Sequence, residues 1–154
     1  MSRGLFGGGG GGDTGRTIAI LSSNDTVNNS TTLANSSLTA TLAANKTYAL
    51  LLAVHFDGST TADAKFGFTG PSGFGGRCGG LKANVSLAFG TGAFDLDGGV
   101  ETTGCTTVSL FTHFFGYVTT AGTAGTLTFQ FAQNTQVAED LDLVQGSYMI
   151  LWEI

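Results

Sequence analysis

The sequence predicts an all-β fold: an antiparallel β-sandwich of jelly-roll type, with about eight to nine strands and a flexible Gly-rich N-terminal arm. Three observations lead there. Apolar and polar residues alternate with a period of two in segment after segment, the pattern of a half-buried strand. Gly, Asn and Asp punctuate those segments, and no stretch carries a helical period. Charged residues make up only 11% of the chain, against roughly a quarter in an average protein, while Ser, Thr, Asn, Gly and 12 Phe are plentiful.

Residues 1–16 form the arm. Gly7 to Gly12 is an unbroken glycine run, whose backbone entropy opposes any regular element. Ahead of it Leu5 and Phe6 give an apolar tip beside Arg3. The domain is then residues 17–154. Thr17 to Ser22 is the first strand, and residues 23–37 are an Asn/Ser/Thr-rich loop with room for one short strand. Ser37 to Ala43 points Leu38, Ala40 and Leu42 inward.

Lys46 to Phe56 is the most apolar segment. Tyr48, Leu50, Leu52, Val54 and Phe56 share one face, and Ala49, Leu51, Ala53 and His55 share the other. A strand apolar on both faces requires a second layer or a neighbouring subunit. Thr61 to Thr69 follows, with Ala64, Phe66 and Phe68 inward. Gly70 to Gly80, which holds the single proline Pro71, is expected as loop, Leu81 to Phe89 as a strand, and Gly90 to Gly104 as a second loop. Thr106 to Thr120 is a long aromatic strand bent near Gly116. Thr126 to Ala132 places Leu127, Phe129 and Phe131 on one face. Val137 to Val144 and Ser147 to Ile154 close the set, the last with Tyr148, Ile150, Trp152 and Ile154 on a common face.

A net charge of −5 argues against nucleic acid as a partner. All six basic residues precede Ala83, and the charged residues after it are all acids; this is either chance in a charge-poor chain or an acidic surface that meets a basic neighbour in an assembly. Residues 1–12 lack the apolar core of a secretory signal, and no stretch approaches a membrane-spanning length. Neither membrane nor cofactor is expected.

Candidate chemistry is sparse. Cys78 and Cys105 are compatible with one disulfide or with two thiols. With His55 and His113 they are the only Cys and His residues, and their spacing matches no zinc site. Asp95, Asp97 and Glu101 lack the other positions of a calcium loop. Asp140 and Asp142 fall on one side of a strand and read as solvent-facing acids. The glycine run lacks the Gly-Lys-Ser/Thr ending of a phosphate loop, and no Gly-x-Ser-x-Gly elbow occurs. Catalysis is therefore not expected.

The segment Ala121-Gly-Thr-Ala-Gly-Thr-Leu-Thr-Phe-Gln-Phe-Ala-Gln-Asn134, with the closing Gly146-Ser-Tyr-Met-Ile-Leu-Trp-Glu-Ile154, resembles a group of small β-sandwich virion proteins of tailed bacteriophages. Lys46 to Leu52 and Ala62 to Pro71 fit the same pattern, so the resemblance runs from about Leu38 to Ile154. It implies a non-enzymatic structural role on the virion: capsid decoration or cement protein, head fibre, or tail or collar accessory piece. Such proteins are often trimers of jelly rolls. The implied partners are copies of itself, as a homotrimer, and the major capsid or another virion protein, with assembly in the host cytoplasm. Partner contacts are expected through Arg3, Leu5 and Phe6 on the arm, and through Leu51, Ala53 and His55 on the second face of the apolar strand. The alternative is a receptor- or carbohydrate-binding module of a tail or head fibre, with a glycan held by the long loops against Phe74 or Phe94.

Overall fold

Thirteen strands and no helix make up the described part of the chain. The computed structural model describes residues 15–84, 86–89, 94–99, 101–103 and 110–154. In chain order the strands are β1 (Arg16–Ile20), β2 (Asp25–Asn28), β3 (Ala34–Leu42), β4 (Thr47–Gly58), β5 (Ala64–Thr69), β6 (Gly75–Asn84) and β7 (Ser86–Phe89). They continue with β8 (Phe94–Asp95), β9 (Glu101–Thr103), β10 (Leu110–Thr119), β11 (Gly125–Gln133), β12 (Asp140–Leu143) and β13 (Tyr148–Glu153).

Eight of these wind as a jelly roll. The first pairs with the last (β1 with β13), then β3 with β11, β4 with β10, and β5 with β9, all antiparallel. This nesting yields one sheet ordered β1-β13-β4-β10 and a second ordered β3-β11-β5-β9, the two layers of an eight-stranded jelly roll. The remaining strands enlarge the first sheet. β6 and β7 add beyond β10, β8 pairs with β6, and the β2–β12 pair extends the sheet where β4 runs past the end of β13.

The core lies between the layers and is built by alternation. β4 sends Tyr48, Leu50, Leu52, Val54 and Phe56 inward, β5 sends Ala64, Phe66 and Phe68, and β11 sends Leu127, Phe129 and Phe131, all of them buried. Phe129 lies at the centre, its ring 6.3 Å from Phe56, 5.9 Å from Phe66 and 5.5 Å from Phe68. The β3–β11 ladder shifts register between Thr128 and Gln130. There the Ser36 hydroxyl donates to the Phe129 carbonyl at 2.8 Å and accepts from the Leu38 amide at 3.1 Å, supplying bonds the interrupted ladder cannot.

Ser147 does similar work between β12 and β13. It is fully buried; its hydroxyl donates to the Val144 carbonyl at 2.8 Å and accepts the His55 amide at 3.0 Å. Ser147→Ala is therefore expected to cost about 1–3 kcal/mol, because it takes the acceptor away from the His55 amide, while the Val144 carbonyl keeps the Ser147 amide. A urea titration monitored by tryptophan fluorescence checks it.

Several boundaries differ from expectation for physical reasons. Only the first part of Gly70 to Gly80 is loop: it is confined to Gly70 to Phe74, and β6 begins at Gly75 and takes in Gly75, Gly76, Gly79 and Gly80. Leu81 to Phe89 is not one strand but the end of β6 and then β7, a hairpin pairing Asn84 with Ser86. Gly90 to Gly104 contains β8 and β9, which stitch the insertion to both sheets. The Asn-rich 23–37 region supplies β2 and the start of β3, where Asp25 accepts hydrogen bonds from the Ser37 amide and hydroxyl. Strand structure begins at Arg16 rather than after it, and the Glu153 amide donates to the Gly15 carbonyl at 2.7 Å. The arm proper, with Arg3, Leu5 and Phe6, lies outside the described residues, as does Cys105. Cys78 faces the core from β6.

Candidate interaction surface

The two outer faces of the sandwich differ in chemistry. On the smaller sheet the outward positions are Ser37, Thr39 and Thr41 of β3, Thr126 and Gln130 of β11, and Lys65 and Thr69 of β5. This is a polar face at home in water, and Gln130 donates to Asn35 across it at 2.8 Å.

The outer face of the larger sheet is apolar. β4 runs up its middle, with β13 and β1 on one flank and β10 and β6 on the other. Register lines the outward residues up in rows across the strands. One row is Ile18, Ile150, Leu51 and Phe115; the next is Ile20, Tyr148, Ala53 and His113. A third is Arg16, Trp152, Ala49, Tyr117 and Arg77, and His55 lies beside Phe111 beyond the second. Ile18, Ile20, Phe111, Phe115, Tyr117 and Trp152 are each between 37% and 66% exposed. At ~200 Å² for a large apolar side chain, they hold roughly 600 Å² of apolar surface in water. That is the top of the range for the largest patch on a monomer (roughly 300–600 Å²). It approaches the ~800 Å² per partner of a stable interface.

Charges stand only at the margins of this face among the described residues. Arg16 and Arg77 end the third row, Arg77 bonded to Asp95 at 2.9 Å. Lys46 pairs with Glu153 just below, and the hydrogen bond and charge of Glu153 hold its ammonium above the ordinary lysine value. The pair is solvent-exposed, so screening leaves it little weight in stability. Asp57 on β4 and Asp142 on β12, directly opposite each other, mark the far end.

Three expected contact residues fall on this face. Leu51 is half-buried at its centre. Ala53 is completely buried, flanked in its row by Tyr148 and His113, so it is the floor of the face rather than a group a partner can reach. His55 is half-buried with its ring 5.5 Å from Phe111, which is 5.0 Å from His113 on the other side. The larger contributors, Phe111, Phe115, Tyr117, Trp152, Ile18 and Ile20, were not singled out from sequence. The signal is in the pattern: each occupies the strand position out of phase with an inward neighbour, such as the buried Phe114, Val118 and Leu151 or the partly buried Ala19.

Phe74, a candidate glycan platform, is half-buried, with part of its ring packed against the core. The side chain of Phe94, the other, lies outside what is described. Among the described residues no group of three or more His, Cys, Asp or Glu side chains is placed to hold a metal ion.

Comparison with known proteins adds little. The sequence matches no protein-family model and no curated protein. Among solved structures it is similar to the tripod (BppUct-A-L) from the baseplate of bacteriophage Tuc2009 at 12% identity. That similarity covers 100% of this chain and 72% of that one with a TM-score of 0.39. At that level nothing about the tripod carries over to this chain.

Proposed function

We propose that this chain is a non-enzymatic structural protein of a bacteriophage virion, a capsid decoration or cement protein that works as an oligomer of itself. The observation that carries the oligomer is the outer face of the larger sheet. An apolar, aromatic surface of that size, opposite a Thr/Ser face suited to water, is a surface to be covered. A second copy fits it well, because among the described residues the face holds formal charge only at its margins and its area is that of one side of a modest homomeric interface. The virion role rests on the sequence resemblance between Leu38 and Ile154 together with the jelly-roll winding. Three copies is the number that resemblance implies, and the arm, through Arg3, Leu5 and Phe6, is proposed to reach the major capsid protein or another virion component.

Sedimentation velocity at micromolar concentration tests the oligomer. Wild-type protein is expected to sediment as a single oligomeric species. Phe115→Ser with Tyr117→Ser, which removes two exposed rings and no core contact, is expected to sediment as a monomer with an unchanged circular dichroism spectrum. A wild-type monomer overturns the assignment of the face. On the alternative, a carbohydrate-binding fibre module whose long loops hold a glycan against Phe74 or Phe94, the wild-type protein retains glycans on an array and the double variant, changed only on the sheet face, retains them too.

A further inference from the structure

We infer that the contact made by this face is acid-labile, with His113 as the main gate and His55 as the lesser one; this rests on the oligomer proposed above. Both imidazoles stand inside the apolar face, one on each side of the Phe111 ring, at 5.5 Å and 5.0 Å between ring centres. In a lone protomer each is half-exposed, and its protonated form is hydrated from the open side. A neighbour covering the face removes that water. A charged imidazolium would then be held against Phe111, Phe115 and the partner's equivalents, an environment that disfavours the charged form.

Register places the following described groups around these imidazoles. On β10, His113 has Phe111 and Phe115 as its outward neighbours and Tyr117 beyond them. Across β4 it faces Ala53, then Tyr148 on β13. On β6 its register partner is Leu81, and that of Thr112 is Lys82; Arg77, tied to Asp95, lies two rows away. No described carboxylate shares a row with His113. His55 differs: Asp57 follows it two positions along β4, with Asp142 of β12 opposite Asp57, so its end of the face carries two carboxylates that the row of His113 lacks. Imidazole changes charge between about pH 5 and 8. Because covering favours the neutral form, association is strongest above that interval and is lost as the pH falls through it.

The test is equilibrium sedimentation of the full chain at pH 7.5 and pH 5.0, with circular dichroism at both. Wild-type protein is expected to weaken its self-association by at least about tenfold at pH 5.0, with its β-sheet spectrum retained. His113→Gln is expected to remove most of that difference and His55→Gln less. The double variant is expected to associate about equally at both values. Equal wild-type association at both pH values overturns the gate while leaving the oligomer intact. A double variant that still dissociates in acid, or loss of the fold itself at pH 5.0, does the same. A wild-type monomer at pH 7.5 instead sinks the oligomer, and the gate with it.

Discussion

Phe129→Ala is expected to cost about 3–5 kcal/mol, the range for truncating a buried phenylalanine. The ring is fully buried and stands among Phe56, Phe66 and Phe68. β11 holds it at the middle of the smaller sheet, hydrogen-bonded on both sides by β3 and β5, so the backbone cannot move in to fill the space. The neighbours are themselves rings fixed on rigid strands, and a cavity among them stays open. Against a total stability of roughly 5–15 kcal/mol that is a large fraction. For a chain of this size the melting temperature should fall by roughly 10 °C. Thermal denaturation followed by circular dichroism checks it, and a fall of less than about 3 °C would show that Phe129 does not centre the core.

Gly116→Ala is expected to be nearly as damaging although it adds a single methyl group. Gly116 lies in β10 opposite Leu50 of β4 and Cys78 of β6. A Cβ there would stand 2.1 Å from the Arg77 carbonyl oxygen and 2.6 Å from the Cys78 Cα. Both are backbone atoms and cannot swing aside, so β6 must separate from β10. The expected cost is at the top of the ~1–3 kcal/mol range for overpacking. It should appear as faster amide exchange along Gly76 to Gly80, with β4 and β11 protected. Gly122→Ala is the control: a Cβ there meets nothing within 4 Å, and the change should stay within about 0.5 kcal/mol. Equal behaviour of the two variants would show that the β6–β10 approach is looser than described.

Much of the architecture could be read without coordinates, and the reason is specific. On β3, β5 and β11 the inward residues are Leu, Ala and Phe and the outward ones Thr, Ser, Asn and Lys, so period-2 patterning marks both the strand and its buried side. The inward positions expected there are the buried ones. On β13 the same pattern gave the strand but not its direction. Tyr148, Ile150 and Trp152 share a face as expected, yet the core side is Met149 and Leu151. Where both phases of a strand are apolar, alternation cannot say which faces in. The same ambiguity covers β10, and it is why the apolar face was anticipated only through Leu51, Ala53 and His55 of β4.

Glycine was the other source of error. Gly75, Gly76, Gly79 and Gly80 look like loop residues by local preference, and Gly116 like a bend. They are strand residues, and at Gly76, Gly80 and Gly116 an added Cβ would strike backbone of the paired strand at 1.9–2.1 Å. Such a close approach exists only once the two strands are side by side.

Local patterning therefore specifies the layered β class, the inward residues of the one-sided strands, and the presence of more apolar surface on β4 than one core can absorb. These depend on neighbours a few positions apart in the chain. The nested pairing of β1 with β13 and β4 with β10, the orientation of the two-sided strands, and the gathering of Ile18, Trp152, Phe115 and His113 onto one face were decided only by the tertiary structure. Each depends on which distant strands lie next to each other, and alternation along a single strand holds no record of that.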